Sequence, residues 1–226
     1  MRLHFHLSPN KSAVPFNYPH FLTGAFHRWL GANELHEGLS LYSLGWLQNG
    51  CKRGESLAFP RGATWFVSAP DTDAGNHLLH RIADAALKQP EVCCGMEVVQ
   101  IESQLTPEFG SRRVFRADSP VFIRGDKEGD QDPHILYNDP RAADYLTRTL
   151  RHKLDKAGLG KYAEGAQMSF DPTFKQPKTR LIHIKDNFYK RANVCPVIVE
   201  GGETVTRFAW NTGAGNLTGS CFGSLV

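Results

Sequence analysis

Arg2-Leu3-His4-Phe5-His6-Leu7, then, past Pro15 and Pro19, Phe21-Leu22-Thr23-Gly24-Ala25-Phe26-His27-Arg28-Trp29-Leu30, is the stretch from which the fold can be read. In the first segment Leu3, Phe5 and Leu7 fall on one side and Arg2, His4 and His6 on the other, the period-two signature of a strand with one core face and one wet face. In the second, Phe21, Leu22, Ala25, Phe26, Trp29 and Leu30 recur at helical spacing up to Gly31. A strand therefore feeds a helix.

Working outward, Leu39–Leu47 and Ala63–Ala69 read as two further strands, the second launched from a Pro60-Arg61-Gly62 turn. Asp71 and Asp73 favour a helix start, Leu78, Leu79, Ile82, Ala86 and Leu87 supply its apolar stripe, and Gln89-Pro90 ends it. A strand over 96–105 follows. The order strand, helix, strand, strand, helix, strand is the ferredoxin-like arrangement.

The second half repeats the pattern without repeating residues. An interrupted strand region spans 114–124, and a charged loop covers 125–132. Asp139 is the expected cap and Pro140 the expected first position of a helix reaching Lys156, with Ala143, Leu146, Leu150 and Leu154 on one face and Gly158 as the stop. Arg180–Ile184 and Val194–Val199 read as a hairpin, 204–210 as a short helix and 221–226 as a closing strand. The expected architecture is α+β: two tandem ferredoxin-like (RRM-like, βαββαβ) domains, 1–108 and 109–226, with a cleft between them.

Composition is that of an ordinary globular chain: 226 residues, 41% hydrophobic and 22% charged, with no apolar run long enough for a membrane span. The N-terminus lacks a secretory pattern, so the expected location is the cytoplasm. Five cysteines with no Cys-x-x-Cys pair argue against a disulfide framework and a structural zinc site. No carboxylate cluster has the spacing of a two-metal nuclease, and no metal or other cofactor is expected. A net charge of +3 decides little by itself, but the basic residues cluster late in the chain.

On a helical wheel His20, Gly24, His27 and Gly31 lie opposite the apolar side of the first helix. Solvated surface histidines are the plainer reading; two histidines facing a second surface is the sharper one. His36, in Leu35-His36-Glu37-Gly38 after the helix, could reach the same cleft. Two such groups can divide general acid and base roles near neutral pH. Between Asp171 and Asn193, Lys175, Lys178, Arg180, Lys185, Lys190 and Arg191 interleave with Phe174, Phe188 and Tyr189. Cations attract phosphates and aromatic rings stack on unpaired bases, so this strip is a candidate RNA surface; an ordinary solvated hairpin is the alternative.

The tail, Gly213-Ala214-Gly215-Asn216-Leu217-Thr218-Gly219-Ser220-Cys221-Phe222-Gly223, places four glycines in eleven positions. It lacks the Gly-Lys-Ser/Thr ending of a Walker loop and precedes a strand instead of a helix. Its amides could form an anion nest for an RNA backbone, or its glycines could let the two halves pack closely.

These residues together resemble the CRISPR-associated endoribonuclease family that cuts repeat RNA into guide RNAs, over nearly the whole chain. Gly213-Ala214-Gly215 with Ser220-Cys221-Phe222-Gly223 is similar to the family's glycine loop, Cys221 standing where a glycine is usual. Ala25-Phe26-His27-Arg28-Trp29-Leu30 and Leu35-His36-Glu37-Gly38 resemble its N-terminal segments, as Ser119-Pro120-Val121 and Ile182-His183-Ile184-Lys185 resemble features of its second half. The resemblance implies His36 as a catalytic residue; His27, where relatives often carry tyrosine, is expected as its partner or as a substrate-positioning group, and His20, on the same helix face, is a third candidate. A lysine that some relatives supply after this segment has no counterpart here.

It further implies metal-independent cleavage by the neighbouring 2′-hydroxyl, leaving a 2′,3′-cyclic phosphate and a 5′-hydroxyl. Arg28, Lys175, Lys178, Arg180, Lys185, Lys190, Arg191, Gly213, Gly215 and Ser220 are the expected RNA contacts. The implied partner is CRISPR repeat RNA within the precursor transcript, with a CRISPR effector complex and a second copy of the chain left open and no membrane. Two alternatives stand beside this reading: a non-cleaving RNA-binding protein of the same fold, and a structural subunit of an effector complex.

Overall fold

The computed structural model describes residues 1–31, 39–126, 133–185 and 188–226, apart from the side chain of Lys185. The first half contains β1 (Arg2–Leu7), α1 (Pro19–Leu30), β2 (Ser43–Leu44), β3 (Cys51–Arg53), β4 (Ser56–Ala58), β5 (Ala63–Ser68), α2 (Asp73–Lys88), β6 (Glu91–Cys93) and β7 (Met96–Gln104). Its main sheet has the order β2-β5-β1-β7-β6. Central β1 pairs antiparallel with both neighbours, Phe5 lying opposite Trp65 and Ile101. Leu3, Phe5 and Leu7 are buried as their alternation requires, and the Phe5 ring stacks on Trp29 of α1 at 5.3 Å. Thr72 caps α2 by accepting the Gly75 N–H at 3.1 Å, one residue from the expected acidic start.

The expected long strand over 39–47 is reduced to β2. Beyond it Gly45 still donates its N–H to Phe66 O at 2.9 Å and lies against that ring, where a Cβ would come within 2.5 Å, and the next backbone bond to β5 is Gln48 N–H to Thr64 O at 2.9 Å. The separate hairpin β3–β4 fills the interval before β5.

The second half contains β8 (Arg112–Phe115), α3 (Ala142–Lys156), β9 (Gln167–Phe170), β10 (Lys178–Lys185), β11 (Phe188–Val194), β12 (Val197–Glu200) and α4 (Glu203–Thr212). Its sheet order is β8-β12-β9. The chain end lies along the far side of the β8 segment, with Arg116 N–H to Val226 O at 3.0 Å, Val226 N–H to Arg116 O at 2.9 Å, and a bridge between Ala117 and Leu225. Counting that end as the fourth position, both halves share the ferredoxin-like strand order 4-1-3-2. The tandem ferredoxin-like reading holds.

Four local expectations for this half are corrected. The hairpin is β10 with β11, not 180–184 with 194–199, because Pro196 lacks the N–H needed to carry one strand through and so divides β11 from β12. Strand β9, too short and polar to read from sequence, pairs β12 instead. Helix α3 begins at Ala142, and Asp139 accepts the Arg141 N–H at 2.8 Å ahead of it; Ala143 is exposed while Ala142 and Tyr145 are buried. The closing strand is a 3₁₀ turn over Thr218–Ser220 followed by isolated bridging, since Leu217, Cys221 and Gly223 all have positive φ.

Two large apolar cores and a small cluster of Phe122, Ala192 and Phe222 result among the described residues. One gathers Phe5, Phe26, Trp29, Trp65 and Ile82; the other gathers Phe115, Leu146, Leu150, Val197 and Phe208. Cys221, from the end of the chain, belongs to the first core, and Leu41 packs against the second. The two halves are thus interlocked and not merely tethered.

Candidate functional site

Polar side chains sew the seam between the halves. Arg2, only 2% exposed, donates from Nε to Ser68 Oγ at 2.6 Å and from Nη2 to Leu225 O at 2.7 Å and Trp210 O at 3.3 Å. Its guanidinium is sandwiched by the Phe66 ring at 3.9 Å and the Trp210 ring at 3.6 Å. Burial lowers its pKa to about 9. Its position on the expected wet face of β1 is therefore dry, because the second half covers that end of the strand. Asp118 accepts from Trp46 N–H at 2.9 Å, Gln48 Nε2 at 2.6 Å and Ser224 Oγ at 3.1 Å, while burial raises its pKa. Trp46 Nε1 donates to Cys221 O at 2.8 Å.

The glycine-rich segment runs through this seam. A Cβ on Gly219 would lie 2.5 Å from Ser40 Oγ and 2.8 Å from the Tyr42 ring, and one on Gly213 would lie 2.6 Å from Gly223 O. Several of its amides are engaged within the protein: Gly213 N–H donates to Ala209 O at 2.8 Å, Asn216 N–H to Phe122 O at 2.8 Å, Ser220 N–H to Leu217 O at 2.8 Å and Gly223 N–H to Pro120 O at 3.0 Å. Close packing accounts for Gly213 and Gly215, both buried, whereas Ser220 is half-buried. Cys221 sits at φ 62°, the left-handed region that favours glycine, with burial pushing its thiol up to about 12.

The side of α1 that carries His20, Thr23, Gly24 and His27 faces this segment, for Thr23 Oγ1 lies 3.9 Å from Cys221 Sγ. His20 Nδ1 is 2.5 Å from Asn17 O, and its ring lies on Phe21 at 3.8 Å. The half-buried His27 ring stands edge-on to Phe26 at 5.5 Å, and Phe26 stacks on Tyr42 at 4.7 Å. A Cβ on Gly24 would touch nothing within 4 Å, so the surface beside these histidines is open. His36 lies outside the described residues.

The basic residues are not one strip. Lys175, Lys178, Arg180 and Arg191 are exposed. Lys190 is only 7% exposed, its ammonium over the Phe188 ring at 4.7 Å and the Phe122 ring at 5.2 Å, because residues 182, 190 and 192 share the hairpin face that covers Phe122 and Phe222. Lys185 belongs to β10, with its side chain outside the described residues. Arg28 is exposed on α1 and donates to Glu91 O of β6, the sheet edge opposite β2. It lies away from the glycine-rich segment, which packs on the β2 side.

Between the halves, the β10 strand and residues 16–18 and 46–59 enclose a cleft of about 760 Å³ lined by Phe16, Tyr18, Trp46, Lys52, Arg180 and His183. His183 stacks on Tyr189 across the hairpin at 4.7 Å, and Phe16, Leu181 and Tyr189 are exposed. Sequence reasoning missed Phe16, Lys52 and Trp46 because nothing local links them to the hairpin. No group of three His, Cys, Asp or Glu side chains suited to a metal ion occurs among the described residues. Among them, too, no helix is long and apolar enough to cross a membrane.

A tandem ferredoxin-like protein with its glycine-rich tail buried against the first helix is the class that fold and seam define. A model of the family described as "CRISPR associated protein Cas6, C-terminal" matches residues 104–226, more than half of the chain. The chain belongs to the CRISPR-associated protein Cas6 family. No curated protein matches it. Among solved structures it is similar to one characterising a Cas6-related gene from Pyrococcus furiosus, at TM-score 0.83 and 20% identity, covering 100% of this chain and 97% of that one. A RAMP protein binding different RNA substrates aligns at TM-score 0.82 and 21% identity, covering 100% and 98%. A Cas6 product complex aligns at TM-score 0.64 and 14% identity, with coverage of 100% and 98%.

Proposed function

We propose that the protein is an endoribonuclease that binds CRISPR repeat RNA and cleaves the precursor transcript into guide RNAs without a metal ion. Membership of the Cas6 family supports this reading, and one relative of the same fold is described as a product complex. The observation that carries it is the packing of the histidine side of α1 onto the glycine-rich segment, with Thr23 against Cys221 and open space at Gly24.

In this reading His36 and His27 divide the proton transfers. One takes the proton of the 2′-hydroxyl as its oxygen attacks the adjacent phosphorus; the other protonates the departing 5′-oxygen, giving a 2′,3′-cyclic phosphate and a 5′-hydroxyl. Lys175, Lys178, Arg180, Lys185 and Arg191 supply phosphate attraction along the hairpin, and Ser220 offers its hydroxyl beside α1. The division into domains 1–108 and 109–226 is proposed with it, supported by the two cores, as is action in the cytoplasm, where a transcript would be met.

The test is incubation of the purified protein with its cognate repeat RNA in EDTA, with analysis of product ends. A cyclic phosphate at one position, and its loss in His36→Ala with binding within about threefold, is the expected result. Binding without a cut would favour the non-cleaving reading, for which the aromatic and basic hairpin is sufficient. Activity that disappears in EDTA and returns with Mg²⁺ would refute the proposed chemistry.

A further inference from the structure

Lys153 lies on α3, yet its side chain is only 1% exposed. Its Nζ donates to Thr212 O at 2.9 Å, Gly213 O at 3.3 Å and Thr218 Oγ1 at 3.2 Å. The three donors of an ammonium thus meet three acceptors. Two are carbonyls at the C-terminal end of α4, which has no further turn to satisfy them and where a cation is favoured. The third is in the middle of the glycine-rich segment. One side chain therefore fixes both the start and the crest of that segment.

The connection continues into the first half. Thr218 Oγ1 donates to Tyr42 O at 2.9 Å, and the Tyr42 ring stacks on Phe26 at 4.7 Å, next to His27 in α1. Gly219, adjacent to Thr218, presses on the same Tyr42 ring. An unbroken series of contacts runs from Lys153 through Thr218, Tyr42 and Phe26 to the helix turn that carries His27. An apolar residue would have filled this place in the α3 stripe at less desolvation cost, since Leu146, Leu150 and Leu154 surround it in sequence.

We infer that Lys153 is a positioning residue for RNA cleavage: it sets the register between the glycine-rich segment and the His27 turn of α1. This rests on the cleavage reading given above. Catalytic geometry tolerates little displacement, and a misplacement near 1 Å can cost about a hundredfold in rate. Removing the donor should therefore affect chemistry more than binding, because the exposed hairpin cations that attract the RNA are elsewhere.

The experiment compares wild type, Lys153→Met, Thr218→Val and Leu150→Ala, at a temperature where each is folded by circular dichroism. Single-turnover cleavage at saturating repeat RNA is measured beside the Kd. Lys153→Met is expected to slow cleavage by about tenfold or more with Kd within about threefold. Thr218→Val, a nearly isosteric loss of one hydroxyl, is expected to show the same split more weakly, and it carries the test if Lys153→Met does not fold. Leu150→Ala, a core truncation in the same helix, is expected to lower Tm and leave the rate of the folded protein unchanged. The inference is overturned if Lys153→Met, or Thr218→Val in its place, cleaves at the wild-type rate, or if rate and affinity fall together in step with Tm across all three variants. A wild-type protein that binds RNA without cutting overturns the cleavage reading as well; a His36-dependent cut with an unaltered Lys153→Met rate sinks this inference alone.

Discussion

Replacing Arg2 by Met keeps the volume of the stem and removes the guanidinium from the seam. Three hydrogen bonds vanish, to Ser68 Oγ, Leu225 O and Trp210 O, together with stacking on Phe66 and Trp210. Hydrogen bonds from a charged donor contribute about 1.5–3 kcal/mol each, so the gross loss approaches roughly 5–9 kcal/mol. Against it stands the relief of a buried charge, the same effect that lowers this guanidinium's pKa to about 9. A buried acceptor left without its donor costs about 1–3 kcal/mol, and with the buried charge relieved and the apolar stem retained the net loss is about 3 kcal/mol. For a chain of this length that is a fall in Tm of about 6–12 °C. Thermal unfolding of the two proteins by circular dichroism at equal concentration measures it directly. A fall smaller than about 3 °C would refute the claim that Arg2 holds the halves together and would mean that the apolar contacts of the seam suffice.

Three other outcomes are expected. Burial pushes the Lys153 ammonium down to about 7 in the folded protein from 10.5 in the unfolded chain, so between these values the unfolded state holds the extra proton and stability rises with pH. Wild type should gain on Lys153→Met between pH 7 and pH 9 by up to about 1.4 kcal/mol per unit in urea unfolding, and a flat difference would contradict it. At Cys221, φ 62° makes a non-glycine residue costly by about 1–2 kcal/mol while the buried thiol contributes packing, so Cys221→Gly should stay within about 1 kcal/mol of wild type. Cys221→Val, β-branched at the same φ, should lose about 2 kcal/mol or more, and equal stabilities of the two variants would refute the conformational argument. In binding to repeat RNA, Arg180→Ala and Arg191→Ala should each reduce the slope of log K against log salt by about 0.7–0.9, whereas Arg28→Ala, whose guanidinium is engaged at the β6 edge, should leave the slope unchanged.

What could be read in the sequence was whatever a single element reports about itself. The alternation of Leu3, Phe5 and Leu7 and the helical stripe ending at Trp29 and Leu30 gave β1 and α1 their inner faces, and the element order gave the first ferredoxin-like unit, but Phe21 of the α1 stripe and Leu87 of the α2 stripe, at the edges of their apolar arcs, are exposed. The second unit was harder because its strands are short and β10–β11 is inserted between two of them; only Pro196 marks where the insertion stops. His20 and His27 were correctly turned away from the first core, since a wheel needs nothing beyond the helix.

The seam was hidden for a physical reason. Arg2 and Lys153 are cations whose partners lie far along the chain, and local periodicity assigns a cation to solvent unless something distant covers it. Lys153 did leave a trace: it follows Leu150 by three residues and precedes Leu154, within the arc of the α3 stripe, where a lysine is out of place unless its ammonium has acceptors. Arg2 left none, because the outer face of a strand is polar in any half-covered sheet. The glycines show the converse limit. Their density announced a close approach or a bound phosphate equally well, and both call for a backbone without side chains. What the structure adds is the packing: Gly213, Asn216, Ser220 and Gly223 donate their amides inside the protein, and a side chain at Gly213, Gly215 or Gly219 would strike neighbouring atoms, so the segment forms a packed floor beneath α1. An RNA lying over that floor would meet the histidine side of α1 and the half-buried Ser220, while its cationic contacts would come from the hairpin on the other side of the cleft. The work of binding and the geometry of cutting would then be assigned to different parts of the chain, which is why substitutions in the seam are expected to change rate without changing affinity.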